Sequence, residues 1–405
     1  MRPQKRILAI LLPLTIAICA AGWIPGGFTA DSHSLGAPFR TLIVGGGPDQ
    51  EHNQVAIESN VRYVQRLLPA GSKARVLFTD GDPQSKNVLC EDSDNKTYFR
   101  TPEISQIDGP SDYVHVKSEL ARIAADAGTN SGAPVLLYFT GHGSPDRRSE
   151  YNNNHYDLWD HKEFTVRNLS SALKSFPKTT PITLVMVECF SGAFGNVLFD
   201  DGDPSGPLAD LSICGYYASV ANREAAGCTP EINEANYRDF TSFFFAALTG
   251  VDRLGRPVTG ADYNHDGKVG MNEAFAYTLI HDDSIDTPVC TSDVFLRRFV
   301  KTLDAEIMAT PFSQIQSWAS PAQLEALNAL SKSIDLTGDD RVQRAYDNFR
   351  HIDAGSMELH DVRLYRFVRL AKSVVLAHSL RTSADESLKA QFAALTLAES
   401  GNPLR

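Results

Sequence analysis

The chain has 405 residues, 42% hydrophobic and 21% charged, an ordinary globular balance with apolar material for a large core and length for two domains. Its formal net charge of -11, with no Lys/Arg run beyond the N-terminus, argues against a nucleic-acid partner, which would reward basic grooves.

The chain opens on MRPQKR, continues into the apolar run ILAILLPLTIAICAAGWIPGG and leaves through small residues, which is the layout of an export signal. The expectation is a signal peptide over residues 1–30, with exit after Ala21 or Ala30. The alternative is a retained anchor, against which Pro13 and the shortness of the run weigh. No second apolar run is long enough to span a bilayer, so a secreted or periplasmic protein is expected, with no membrane contact once the signal is removed. Loss of Cys19 would leave Cys90, Cys189, Cys214, Cys228 and Cys290. In an oxidising compartment an odd set leaves one thiol over. If that thiol is Cys189, the other four can form two disulfides, with Cys214 to Cys228 the local choice.

Apolar, β-rich runs follow at TLIVGGG from Thr41, ARVLFTDG from Ala74, PVLLYFTGHG from Pro134, ITLVMVECFSG from Ile182 and ICGYYASVA from Ile213. Between them HNQVAIESNVRYVQRLL, YVHVKSELARIAADAG and TVRNLSSALKSF have helical spacing, and HYDLWD with HKEFTV reads as a small hairpin. Strands apolar on both faces that alternate with helices predict an α/β fold, a mostly parallel sheet sandwiched by helices. Beyond about residue 300 strand runs cease. SPAQLEALNALSKSI and ELHDVRLYRFVRLAKSVVLAHSL predict a C-terminal all-helical extension, residues 301–405, after a first domain of residues 37–300.

Chemistry in open parallel sheets collects beyond the carboxyl ends of the strands. There the third run ends in Gly141-His142-Gly143 and the fourth in Glu188-Cys189, with Ser191-Gly192 beyond. A free thiol, of pKa roughly 8.5, needs a nearby imidazole to take its proton during attack. Glycines beside both residues let backbone approach closely. His142 and Cys189 are therefore the candidate catalytic pair, and the N–H groups of Gly143 and Cys189 the candidate oxyanion site.

LLYFTGHGS followed by LVMVECFSG resembles the paired His-Gly and Cys signatures of the caspase/legumain superfamily of cysteine peptidases, most closely its legumain-like (asparaginyl endopeptidase type) branch. GGGPDQEHNQVAIESNVRYVQRLL and YYASVANREAAGCTPE are similar to its first strand, loop and helix and to its fifth-strand segment, so the likeness covers about residues 39–300. The resemblance implies the caspase/haemoglobinase-like fold, His142 as general acid/base and Cys189 as nucleophile. It also implies a substrate pocket built from the loops holding His52, Asn53, Ser219 and Arg223, where ordinary loop polarity is the plainer reading. The sequence departs from the pattern at Val187 and Glu188, where an acidic residue or Gln and then a small residue are usual, and substrate preference stays open. Gln50 is the loose match for a group that orients the histidine.

DYNHDGKVGMNE, Asp262 to Glu273, has the spacing of an EF-hand calcium loop. Asp262, Asn264 and Asp266 would give side-chain oxygens, Lys268 its carbonyl and Glu273 two oxygens to a structural Ca²⁺, as in a bacterial-type member with an EF-hand-like loop. No catalytic metal is expected. EYNNNHYD, next to the hairpin, is a candidate substrate-side loop. The expectation is an exported cysteine endopeptidase that acts on a protein or peptide through a thioester acyl-enzyme, its oligomeric state open. A transpeptidase or ligase using the same pair, and a silent calcium-stabilised binding scaffold, are the alternatives.

Overall fold

The structure, a computed structural model, describes residues 40–129, 133–350 and 358–404, so the expected export signal lies outside the described residues. In chain order come β1 (Arg40–Gly46), α1 (Val55–Leu67), β2 (Lys73–Phe78), the strands β3 (Val88–Glu91) and β4 (Thr97–Arg100), and α2 (Tyr113–Thr129). Next are β5 (Val135–Gly141), the two-residue β6 (Gly143–Ser144), β7 (His155–Leu158), β8 (Lys162–Thr165), α3 (Val166–Leu173), β9 (Ile182–Met186) and β10 (Ile213–Tyr217). Helices α4 (Phe240–Thr249) and α5 (Met271–His281), strand β11 (Val289–Cys290) and α6 (Thr291–Phe299) complete this part. Only helices follow among the described residues: α7 (Asp304–Met308), α8 (Phe312–Trp318), α9 (Pro321–Ser333), α10 (Arg341–Phe349), α11 (Leu359–Thr382) and α12 (Glu386–Glu399).

The five apolar runs, with β11 added at one edge, form one six-stranded sheet, ordered β11-β10-β9-β5-β1-β2, with every pair parallel except β10 with β11. Successive side chains of a strand serve opposite faces. Ile43, Tyr138 and Val185 accordingly enter one core with Val61 and Phe244, while Leu42, Leu137 and Leu184 enter the other with Leu120 and Leu169. Two covered faces explain why these strands read as unbroken apolar runs. The α/β class and the helical C-terminal region are as expected.

The described residues form one compact unit. Leu330, Phe367 and Val374 of the C-terminal helices share a core with Tyr216 and Leu279. Arg366 of α11 is buried, and its guanidinium donates to the carbonyls of Asp282, Ser284 and Asp286. Among the described residues no helix is long and apolar enough to cross a membrane.

Three features differ from expectation. The β3–β4 hairpin and the two-residue antiparallel edge strand β11 were not anticipated. The five described cysteines are all free, so the two disulfides, Cys214 to Cys228 included, are corrected to separate thiols. Cys214 faces Thr183 Oγ1 at 3.9 Å, Cys228 Sγ donates to Gly141 O at 3.6 Å and Cys290 meets Ser292 Oγ at 3.2 Å, each held by a different partner. Finally, α4 ends at Thr249, well before the calcium-type loop begins at Asp262, so a helix leaves that loop and none enters it.

Candidate active site

Sheet register decides where the candidate pair stands. β5 and β9 are parallel neighbours with Phe139 opposite Met186, and the ladder continues as Val187 N donates to Phe139 O at 3.1 Å. His142 and Cys189 each lie three residues further on, so they leave adjacent strands at the same level. The backbones touch there: a Cβ on Gly143 would come 2.4 Å from Cys189 O and 2.6 Å from Glu188 Cγ. Only glycine fits that gap. Phe190 then turns the chain through the left-handed region, at φ 60°, a conformation non-glycine residues hold only where the surroundings enforce it.

His142 Nε2 lies 2.9 Å from Gln54 Oε1, at the N-cap position of α1. With Nε2–H donating to that oxygen, Nδ1 carries the lone pair. Burial lowers the imidazole pKa against the pull of Asp157, which favours the neutral ring. Asp157 N donates to His142 O at 2.9 Å, and its carboxylate accepts from Ser144 Oγ at 2.8 Å.

Cys189 is held by one residue of the facing loop. Ala225 N donates to Sγ at 3.3 Å, and Sγ donates to Ala225 O at 3.6 Å. Burial pushes the thiol up to about 11, with the Ala225 N–H acting in the opposite direction. Both members of the pair are thus neutral near pH 7.

The loop that presents Ala225 is tied on every side. Phe190 N donates to Arg223 O at 2.8 Å, and Asn154 Nδ2 bridges Phe190 O at 3.1 Å and Ala221 O at 2.7 Å. Ala226 N donates to Asp286 Oδ1 at 2.6 Å, and Asp286 O receives Arg366 Nε at 2.8 Å. The C-terminal region, for which the sequence offers no task, therefore braces the loop against the candidate nucleophile.

The other predicted residues divide. His52 is exposed, donates from Nδ1 to Asp49 at 2.7 Å and meets the His142 ring edge-on with centroids 5.9 Å apart. Asn53 is buried in the loop, donating to Asn87 O at 2.7 Å and accepting from Gly47 N at 3.3 Å. Ser219 is buried, with Oγ donating to Glu224 O at 2.9 Å. Arg223 is half-buried, and burial lowers its guanidinium pKa despite Tyr365 and Glu224 nearby. Gln50 donates to Lys86 O at 2.9 Å, leaving Gln54 as the residue on His142. Gln54, Ala225 and Asn154 carried no chemical signal in the sequence, although EYNNNHYD drew attention to the stretch that holds Asn154.

Glu188 is 1% exposed, and neither carboxylate oxygen has a hydrogen-bond partner among the described residues. Burial raises its pKa well above the carboxylate range, so it is a neutral acid beside the candidate nucleophile.

The calcium-type loop has the expected turns, with Gly267 at φ 82° and Gly267 N donating to Asp262 Oδ2 at 2.9 Å. Glu273 accepts from the amides of Tyr263 at 3.0 Å, Asn264 at 3.1 Å and Gly270 at 3.0 Å. In this structure the loop's carboxylate oxygens accept from its own backbone amides. Among the described residues no three His, Cys, Asp or Glu side chains are gathered for a metal.

No family model matches the chain. No curated protein matches it either. Among solved structures, a protein from Geobacter sulfurreducens is similar at 14% identity and TM-score 0.36, over 62% of this chain and 92% of that one. A secreted C11 cysteine protease from Bacteroides thetaiotaomicron, solved with an irreversible peptide inhibitor, is similar at 12% identity and TM-score 0.30, over 68% of this chain and 72% of that one.

Proposed function

We propose that the chain is an exported cysteine endopeptidase of the caspase/legumain type, legumain-like in its motifs, that uses His142 and Cys189. The observation that carries this reading is the shared register of β5 and β9, which brings His-Gly and Cys to one level with Gly143 packed on the Cys189 carbonyl. From the neutral pair, Sγ attacks the peptide carbonyl as the His142 lone pair takes the thiol proton. The Gly143 and Cys189 amides receive the developing oxyanion. Collapse expels the amine, which takes its proton from His142 and leaves a thioester. His142 then deprotonates a water that hydrolyses the thioester and regenerates the thiol.

Substrate must displace the Ala225 contact on Sγ, and the imidazole must stay upright on Gln54 while it does so. Calcium belongs to the same proposal, in a structural role: bound by Asp262, Asn264, Asp266, the Lys268 carbonyl and Glu273, it would replace loop amides as partner of those carboxylates.

The test is a peptide-library digest comparing the wild-type protein with Cys189→Ala and His142→Ala. Cleavage at defined positions by wild type alone supports the reading. Cleavage that persists in Cys189→Ala, or no cleavage together with no Cys189 labelling by a peptidyl electrophile, overturns it. Added amine acceptors would reveal ligation as a mass-shifted product.

A further inference from the structure

Alongside the nucleophile's loop lies a cleft of about 400 Å³, within the size range of ligand sites, and neither the candidate pair nor the calcium loop accounts for it. One wall is Gly192 and Asn196, beyond Cys189, and the facing wall ends at the exposed Asn222, beside Arg223. The floor comes from α6 and α11, which contribute Arg297, Arg298 and Arg369.

The charge of this cleft is unbalanced. Asp293 is the carboxylate that meets these arginines, at 3.0 Å from Arg297 and 3.4 Å from Arg369. Arg298 donates from Nη2 to the carbonyl of Ser205 at 2.9 Å, which satisfies a donor without cancelling a charge. The Nε groups of Arg298 and Arg369 are buried and reach no acceptor among the described residues. Three guanidinium groups line the cleft, with Asp293 in contact and Asp203 acting on Arg298 from farther off, which leaves an excess of positive charge in a chain of net charge -11. Guanidinium is the side chain whose planar donors match a carboxylate.

We propose that this cleft is a subsite for an acidic side chain, Asp or Glu, of the peptide substrate, with its carboxylate held by Arg298 and Arg369. The position supports a peptide over a free small anion: Gly192 and Ala221 of its lining lie on the segments that carry Cys189 and Ala225. The proposal rests on the peptidase reading and adds a preference to it. Arg298 and Arg369 come from outside the loops where the family likeness places its pocket.

The test uses the full-length Cys189→Ala protein, which binds peptide without turnover. Fluorescence anisotropy would compare labelled peptides that differ by Glu against Gln at each position around the site cut by wild type, or at each position of a fixed scaffold if none is cut. At one position the Glu peptide is expected to bind about tenfold tighter, the scale of a charge-assisted hydrogen bond. Arg298→Gln and the surface change Asn222→Asp should each erase that preference. Equal affinity at every position overturns the proposal, as does a preference that survives both variants. Binding of inorganic tripolyphosphate sensitive to Arg298→Gln, without any Glu preference, overturns it in favour of a free-anion site. A Glu preference without cleavage would remove the peptidase reading and keep the acidic-peptide site, so the two failures are distinguishable.

Discussion

The protonation state of Cys189 separates two ways of running the same pair. In one, thiolate and imidazolium coexist at rest. In the other, both groups are neutral and the proton moves only during attack. Here burial raises the thiol to about 11 and lowers the imidazole, which places the protein in the second class. A thiol of that pKa is roughly 0.1% ionised at pH 8, whereas a free cysteine at roughly 8.5 is about one quarter ionised. Carbamidomethylation of Cys189 should therefore be about 200-fold slower than that of free cysteine at pH 8. The log of its rate should rise by about one for each pH unit from 6 to 10. Mass mapping of the labelled peptide isolates this thiol from Cys90, Cys214 and Cys290, which are buried, and from Cys228, which is partly buried, all four with raised pKa values of their own. His142→Asn should leave the profile unchanged, since no imidazolium supports the thiolate at rest. A rate that levels off near pH 6, and falls in His142→Asn, would refute the neutral-pair reasoning.

Glu399 gives a stability prediction with a definite sign. Its carboxyl accepts from Thr291 Oγ1 and Ser292 N, both at 2.7 Å, and burial raises its pKa to about 7 from 4.5. Its contribution is intact below the unfolded value and is lost as pH rises through 7, a change of about 3 kcal/mol at about 1.4 kcal/mol per unit. Urea unfolding at pH 5 and pH 8 should show Glu399→Gln with a pH dependence smaller by that amount; an unchanged difference rejects the assignment. Gly143→Ala drives a methyl into Cys189 O and Glu188 Cγ, and should cost about 1–3 kcal/mol in stability. Its kcat/KM should fall at least as steeply as for loss of an oxyanion donor, about 100-fold. Gln54→Glu sets a carboxylate on His142 Nε2, so the acid limb of the kcat/KM profile should move to higher pH; an unmoved limb would detach Gln54 from the base. Calcium at about 100 times its Kd should add about 2.7 kcal/mol of stability over a chelated sample, and Glu273→Gln should abolish the gain. Equal melting temperatures with calcium and with chelator would remove calcium from the account.

Much of the fold was legible because the central strands are covered on both faces. Leu42, Ile43 and Val44 alternate between two cores, so the sequence shows an unbroken apolar run and announces a parallel sheet. The placement of His142 and Cys189 at the ends of neighbouring strands was legible too, since each follows an apolar run beside glycine. What escaped was carried by backbone: Ala225 touches Cys189 through its N–H and carbonyl, which any residue possesses. Asp286 and Arg366, which brace that loop from behind, lie 80 residues apart.

By itself, the sequence determined the α/β class, the two candidate reactive residues and the helical character of the C-terminal region, because each rests on local periodicity or on residue type at a strand end. Tertiary structure decided the rest. It separated the four remaining cysteines into different surroundings, gave His142 to Gln54 and made Glu188 a neutral buried acid. It also turned the C-terminal helices into the support of the loop over Cys189. The reason is physical: burial and hydrogen-bond partnership set protonation and orientation, and both are properties of what packs around a residue, often from distant parts of the chain.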